Sequence, residues 1–392
     1  MAMLRLFSFF ILGCLWGADW PQHLGPNRNG VSAEGDFAPA GKVVWSREVG
    51  SGFAAPVVSE GKVYLYHRVG DEEICEAMDA ETGKTRWRTT VPTNYRDDFG
   101  FDEGPRAAPV VSGGRVFVHG AHGVLTALDA GTGKALWQVS TMKVFGVEKQ
   151  FFGQASAPLV MGERVMLQVG GTAGIAAFAV GTGKVLWTAT GDEAGYASPV
   201  AYQGEEGVFF TRTGLVVVNV ATGKVRGQMR WRARSNTTVN AATPVVVGDQ
   251  VFLTSSYEVG AAVVDLTKTP LKPVWSGDES LSAHYATPVY RDGFLYGYHG
   301  RQEMGPELRC IEMKTGNVKW ATGRFGAGSI LLVGGKLVVM REKGELLIAE
   351  ATPKGYKKLA EFKILDGVVR AYPALANGTL FVRNERRLVA VR

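Results

Sequence analysis

Cysteine is scarce. The 392 residues hold three, Cys14, Cys75 and Cys310, with no two adjacent and no C-x-x-C pair. That pattern excludes a disulfide-stapled scaffold, a cysteine-rich zinc module and a c-type haem attachment site. Long apolar stretches are missing as well. Leu6 to Leu15, broken by Ser8, is too short to cross a bilayer as a helix. The net charge of +6 is spread over many turns as single Lys and Arg residues, and no basic run is long enough for a nucleic-acid footprint. Nucleic acid is therefore not an expected partner. There is no G-x-S-x-G elbow and no Walker or dinucleotide glycine motif.

What the chain has in abundance is glycine (51 residues), with 46% hydrophobic and only 20% charged residues. This is a strand-and-turn composition with enough apolar content to bury a core. A nine-residue unit organises it. Asp129 to Trp137 reads D-A-G-T-G-K-A-L-W, and Asp79 to Trp87 reads D-A-E-T-G-K-T-R-W. Worn copies run from Thr182 to Trp187, Thr222 to Trp231 and Thr315 to Trp320. The glycine supplies the positive φ that closes a hairpin, and the Asp and Thr side chains satisfy turn backbone groups. The Trp then lies on the outgoing strand.

A second signal repeats beside it: a small residue, Pro, two apolar residues, a Gly turn, then an alternating strand. Pro56, Pro109, Pro158, Pro199, Pro244, Pro288 and Pro373 open such units, and Ser329 to Leu332 is a copy without proline. Proline at the first position of a strand costs no ladder hydrogen bond. A period in the forties with four short strands per unit is the mark of propeller blades. Both the strand-opening units and the Trp strands (Trp45, Trp87, Trp137, Trp187, Trp231, Trp275, Trp320 and an aliphatic stand-in near Leu359) count to eight. The last unit ends at Arg392 where its outer strand should begin, while Lys42 to Val49 is a Trp strand with no hairpin before it. The expected fold is all-β: one eight-bladed β-propeller over residues 42–392, closed by the N-terminal strand completing the last blade.

Ahead of the propeller, residues 1–18 read as a signal peptide, with Arg5 preceding the apolar core. Ile11-Leu12-Gly13-Cys14 loosely matches a bacterial lipobox that would put a lipid anchor on Cys14. Simple export is the favoured reading. Residues 19–41, rich in Pro, Gly and Asn, form an extended, turn-rich segment. Cys75 and Cys310 sit five repeats apart, too far for a disulfide, and read as small buried hydrophobes.

The D-A-x-T-G-K-x-x-W unit repeated around eight blades resembles the pyrroloquinoline-quinone (PQQ) repeat propellers. The resemblance implies that each motif Trp docks between neighbouring blades. It also implies one of two functions, since some members are quinoprotein dehydrogenases and others bind no quinone. Among the latter is the propeller lipoprotein of the outer-membrane β-barrel assembly machinery. The leading W-P-Q-x-x-G-P-N-R-x-G-V-S from Trp20 to Ser32 looks like the start of exported bacterial members with no settled activity. A dehydrogenase of this family would show a vicinal Cys-Cys pair over the quinone, a Glu, Asn and Asp set for Ca²⁺, and a catalytic Asp. The Cys pair is missing here.

Residues just before each strand-opening proline recur at equivalent places and should ring one mouth of the channel: Phe53, Arg106, Gln154, Tyr196, Asn240, His284 with Tyr285, and Arg370 with Tyr372. Aromatics mixed with Arg, Gln, Asn and His suit a small polar ligand or a peptide. Arg106 is the member best suited to a carboxylate. Satisfaction of loop backbones and channel waters is the competing use of the same groups. Two long loops, Thr93 to Arg106 and Met142 to Gln154, carry Tyr95, Phe99, Phe101, Phe151 and Phe152. Exposed there, these rings would meet a protein partner or form a lid. His119 and His122 straddle a turn, and no third metal ligand lies nearby in sequence. No catalytic residue and no metal site is expected.

The sequence thus points to an exported, monomeric, non-catalytic propeller that binds or scaffolds in the bacterial cell envelope, periplasmic or envelope-associated, with no transmembrane span. Its partner would be an envelope protein or a small polar ligand or peptide. The alternatives are a PQQ-dependent oxidoreductase of alcohol or sugar dehydrogenase type, using PQQ with Ca²⁺ at the channel mouth and Arg106 on a quinone carboxylate, and a carbohydrate- or peptide-binding module.

Overall fold

The computed structural model describes residues 19–35, 37–235 and 239–392. The leader at 1–18, with Cys14, lies outside them. Eight blades of antiparallel strands surround a central channel, each running from a short inner strand to an outer strand that carries a Trp in six of them. Blade 1 is Val57–Ser59, Lys62–Val69, Glu72–Asp79 and Thr85–Pro92. Blade 8 is Ala374–Ala376, Thr379–Arg383 and Arg387–Val391, completed by Val43–Glu48 with Trp45 opposite Ala390. Inner strands neighbour one another around the ring, and Ala374–Ala376 returns to Val57–Ser59. Closure by the N-terminal strand is therefore as expected, and it leaves no radial edge free. Middle strands are buried on both faces between neighbouring blades, so they read as apolar runs such as Leu215 to Val218. Outer strands alternate exposed and half-buried residues.

The nine-residue unit works across blades. Gly83, Gly133, Gly183, Gly223 and Gly316 all have φ between 68° and 76°. Each lies under the Trp ring of the preceding blade; at Gly133 a Cβ would stand 2.5 Å from Trp87. The Trp Nε1–H groups of Trp45, Trp87, Trp137, Trp187, Trp275 and Trp320 donate to carbonyls of the next blade at 2.8–3.0 Å. Asp129 Oδ1 accepts from the backbone N–H and the hydroxyl of Thr132, both at 2.8 Å. The turn thus presents a bare glycine face with its own polar groups satisfied.

One tryptophan departs from the expected set. Trp231 is not a docking residue, because the motif position of blade 4 is Gly227, opposite Val217 just as Trp187 is opposite Ala177. Leu271 fills the place, and a Cβ on Gly227 would meet it at 3.0 Å. In blade 7 the stand-in is Ala360, opposite Ile348.

The segment before the propeller is a strap across the channel. Trp20 exchanges backbone hydrogen bonds with Val58 of blade 1, Val111 N–H of blade 2 donates to Pro21, and Leu332 N–H of blade 7 donates to Gly30, all at 2.8 Å. Buried Arg28 donates to the carbonyls of Pro158 (2.6 Å) and Ala157 (3.2 Å) in blade 3. Val31–Ser32 adds a parallel strand to Gly328–Val333. Leu332 donates from the same place in its strand as Val58 and Val111 do in theirs, two residues after the strand-opening position.

Candidate functional site at the channel mouth

The chain enters each inner strand from one face of the ring, and backbone alternation decides which side chains reach the channel there. The residue three before each strand-opening proline lines the mouth in seven blades: Phe53, Arg106, Ala155, Tyr196, Ala241, Tyr285 and Arg370. His284 and Tyr372 also line it. Gln154 and Asn240, at the same offset from their prolines as His284, do not; both are buried. Asn240 Nδ2 donates instead to Thr211 (2.8 Å) and Trp231 (3.0 Å) carbonyls. The sequence held the signal in the spacing.

The mouth encloses about 230 Å³. Its floor is the strap: His23 meets Tyr372 edge-on with centroids 5.1 Å apart, and burial drives the His23 pKa down to about 3. One wall is Phe53, with the Arg106 guanidinium 5.5 Å and the Arg370 guanidinium 5.4 Å from its ring centroid. Neither cation is idle. Arg106 donates to the carbonyls of Phe152 (3.0 Å) and Asp102 (3.2 Å) and lies 3.7 Å from Asp97. Arg370 Nε donates to Glu342 at 2.5 Å. Opposite, His284 Nε2 pairs with the Tyr257 hydroxyl at 3.0 Å, and burial lowers the His284 pKa.

The two long loops meet above the mouth. Phe99 packs against Phe101, Phe151 and Phe152 with centroids 5.4–6.3 Å apart, and Phe152 continues to Tyr196 at 5.7 Å. Phe99 and Phe101 are 54% exposed and Phe151 37%. Lys149 ties the loops together through Asp98 and the Arg96 carbonyl. Tyr95, expected on this surface, is instead fully buried beneath it. A residue that composition did not single out holds the first loop: buried Arg68 donates to the carbonyls of Gly70 (2.6 Å), Tyr95 (2.7 Å) and Glu103 (3.0 Å).

Among the described residues no three His, Cys, Asp or Glu gather to hold a metal ion. Asp97 and Glu342, beside the mouth, are each engaged by an arginine. His119 is fully buried in its strand rather than in an exposed turn, and burial lowers its pKa to about 4. Cys75 and Cys310 are free thiols buried in blades 1 and 6. No described helix is long and apolar enough to cross a membrane.

The family model for outer membrane protein assembly factor BamB matches residues 35–147 and 70–322. Curated proteins searched by sequence give no match. Among solved structures, BamB from Moraxella catarrhalis superimposes with a TM-score of 0.67 at 16% identity, covering 90% of this chain and 97% of that one. Quinohemoprotein alcohol dehydrogenase from Comamonas testosteroni gives 0.69 at 15%, covering 95% and 80%. A europium-containing methanol dehydrogenase gives 0.69 at 13%, covering 95% and 89%. At such identities the structural likeness establishes the propeller and leaves both functional branches represented.

Proposed function

The chain belongs to the PQQ-repeat propeller family whose model is that of outer membrane protein assembly factor BamB, and on that footing we propose that it is an exported, non-catalytic binding or scaffolding protein of the bacterial cell envelope that receives a polypeptide partner on its mouth face. The observation that carries this reading is the cluster of Phe99, Phe101 and Phe151, solvent-facing on loops pinned by Arg68 and Lys149. Apolar rings held rigidly in water cost free energy that burial against a partner returns, about 25 cal/mol per Å². The guanidiniums at the mouth act as supports for the rings and not as an open anion clamp.

Site-specific photo-cross-linking in cells tests it. A cross-linker at Phe101 should trap one discrete envelope protein, and the same group at Lys134, in a turn at the opposite end of blade 2, should not. Equal trapping at both positions, or at neither, would count against the proposal.

A further inference from the structure

We infer a second binding site, for a carbohydrate, in the cleft of about 1030 Å³ between the loops of blades 4, 5 and 6. This inference is independent of the polypeptide reading of the mouth. Three observations lead there. The first is Trp231. Blade 4 leaves its docking position to Gly227 and Leu271, and its tryptophan sits four residues further on, in the cleft wall. The half-buried indole packs in part on the apolar core of blades 4 and 5 and also lines the surface cleft.

The second is the hairpin that carries Tyr257. Tyr257 (φ 67°) and Glu258 (φ 64°) are consecutive non-glycine residues in the left-handed region. Blade 3 puts Gly170 (φ 73°) and Gly171 (φ 60°) in its corresponding turn. A bulky ring in that conformation is strained, and such strain gathers at ligand sites. The Arg301 guanidinium, 4.4 Å from the Tyr257 ring centroid, and the hydroxyl's bond to His284 hold the ring in place on the cleft wall.

The third is the polar lining. Arg230 and Arg234 face the same space as Asp278 and Glu279. A simple anion would be repelled by the carboxylates and a simple cation by the guanidiniums. A sugar hydroxyl both donates and accepts, so it uses the two sets together, while aromatic rings offer apolar faces to the sugar's C–H groups. The volume is at the upper end of what small-molecule sites enclose, which suits an oligosaccharide of a few rings.

The test is a printed array of neutral and acidic oligosaccharides of a few sugar rings, followed by calorimetry on the glycan bound best. The wild-type chain should bind at least one glycan. Trp231→Ala should weaken it about tenfold or more, beyond any fall in Tm from the packing it loses on the core of blades 4 and 5. Tyr257→Gly, which relieves the left-handed strain, should weaken it similarly while holding or raising Tm. An array on which the wild-type chain binds nothing would overturn the inference, as would binding that both variants leave intact.

Discussion

The indole of Trp87 lies on Gly133 of the next blade so closely that a methyl group at Gly133 would stand 2.5 Å from the ring, while the same indole donates to Ala130 at 3.0 Å. The contact explains why the repeat keeps glycine and tryptophan together: one shapes the turn, and its bareness seats the other. Gly133→Ala should therefore cost on the order of 2–3 kcal/mol, from the left-handed φ and the displaced ring. Gly113→Ala, where φ is 55° and nothing lies within 4 Å, should cost only the conformational part. Urea unfolding of both variants measures the difference.

Arg68 gives the mouth its shape from below. Removing its guanidinium leaves the Tyr95 carbonyl to Arg96 alone and releases those of Gly70 and Glu103. Arg68→Met should cost about 2–4 kcal/mol. Limited proteolysis should cut the variant between Tyr95 and Glu103 under conditions that leave the rest of the ring intact.

Blade 1 carries a carboxylate that titrates to its advantage. Burial alone would raise the Glu76 pKa, but hydrogen bonds from His67, Thr85 and Arg88 outweigh it and bring the value from 4.5 to about 2. A folded pKa below the unfolded one stabilises above the unfolded value, and that contribution fades as pH falls from 4.5 toward 2. The amount is about 3 kcal/mol. His67, its pKa lowered chiefly by burial, has the same sign. Buried Glu73 has a raised pKa, chiefly from burial, so its contribution is present at low pH and lost as pH rises through the folded value. Acid unfolding of Glu76→Gln should show a shallower loss below pH 4.5, and Glu73→Gln a steeper one relative to neutral pH.

The strap predicts a distinct phenotype. Arg28 is buried, its pKa brought down to about 9 by burial, and it spans to blade 3 from the segment that supplies His23 to the mouth floor. Arg28→Met leaves two carbonyls unpaired and should cost about 2–3 kcal/mol. Hydrogen exchange at Leu332 and Val111, whose N–H groups are tied to the strap, should accelerate first.

The ring was legible from residues because its determinants are local: a turn glycine, a strand-opening proline and a Trp at fixed offset. Even the closing strand at Trp45 followed from counting. Trp231 misled because tryptophan was counted without its offset; five residues after Thr222 stands Gly227, as Trp137 stands five after Thr132. The mouth was half legible for the same reason, with Ala155 and Ala241 lining it where Gln154 and Asn240 were expected. Tyr95, Arg68 and the strap were hidden because their partners lie in other blades or across the channel, and no local pattern encodes such pairings.

The most direct measurement of the central claim is calorimetric titration of the leaderless protein with PQQ and Ca²⁺, with Arg106→Ala alongside. A non-catalytic mouth whose arginines already hold Phe152 and Glu342 predicts no heat beyond dilution for either protein. Tight, calcium-dependent binding that Arg106→Ala abolishes would contradict it and place the chain with the dehydrogenases.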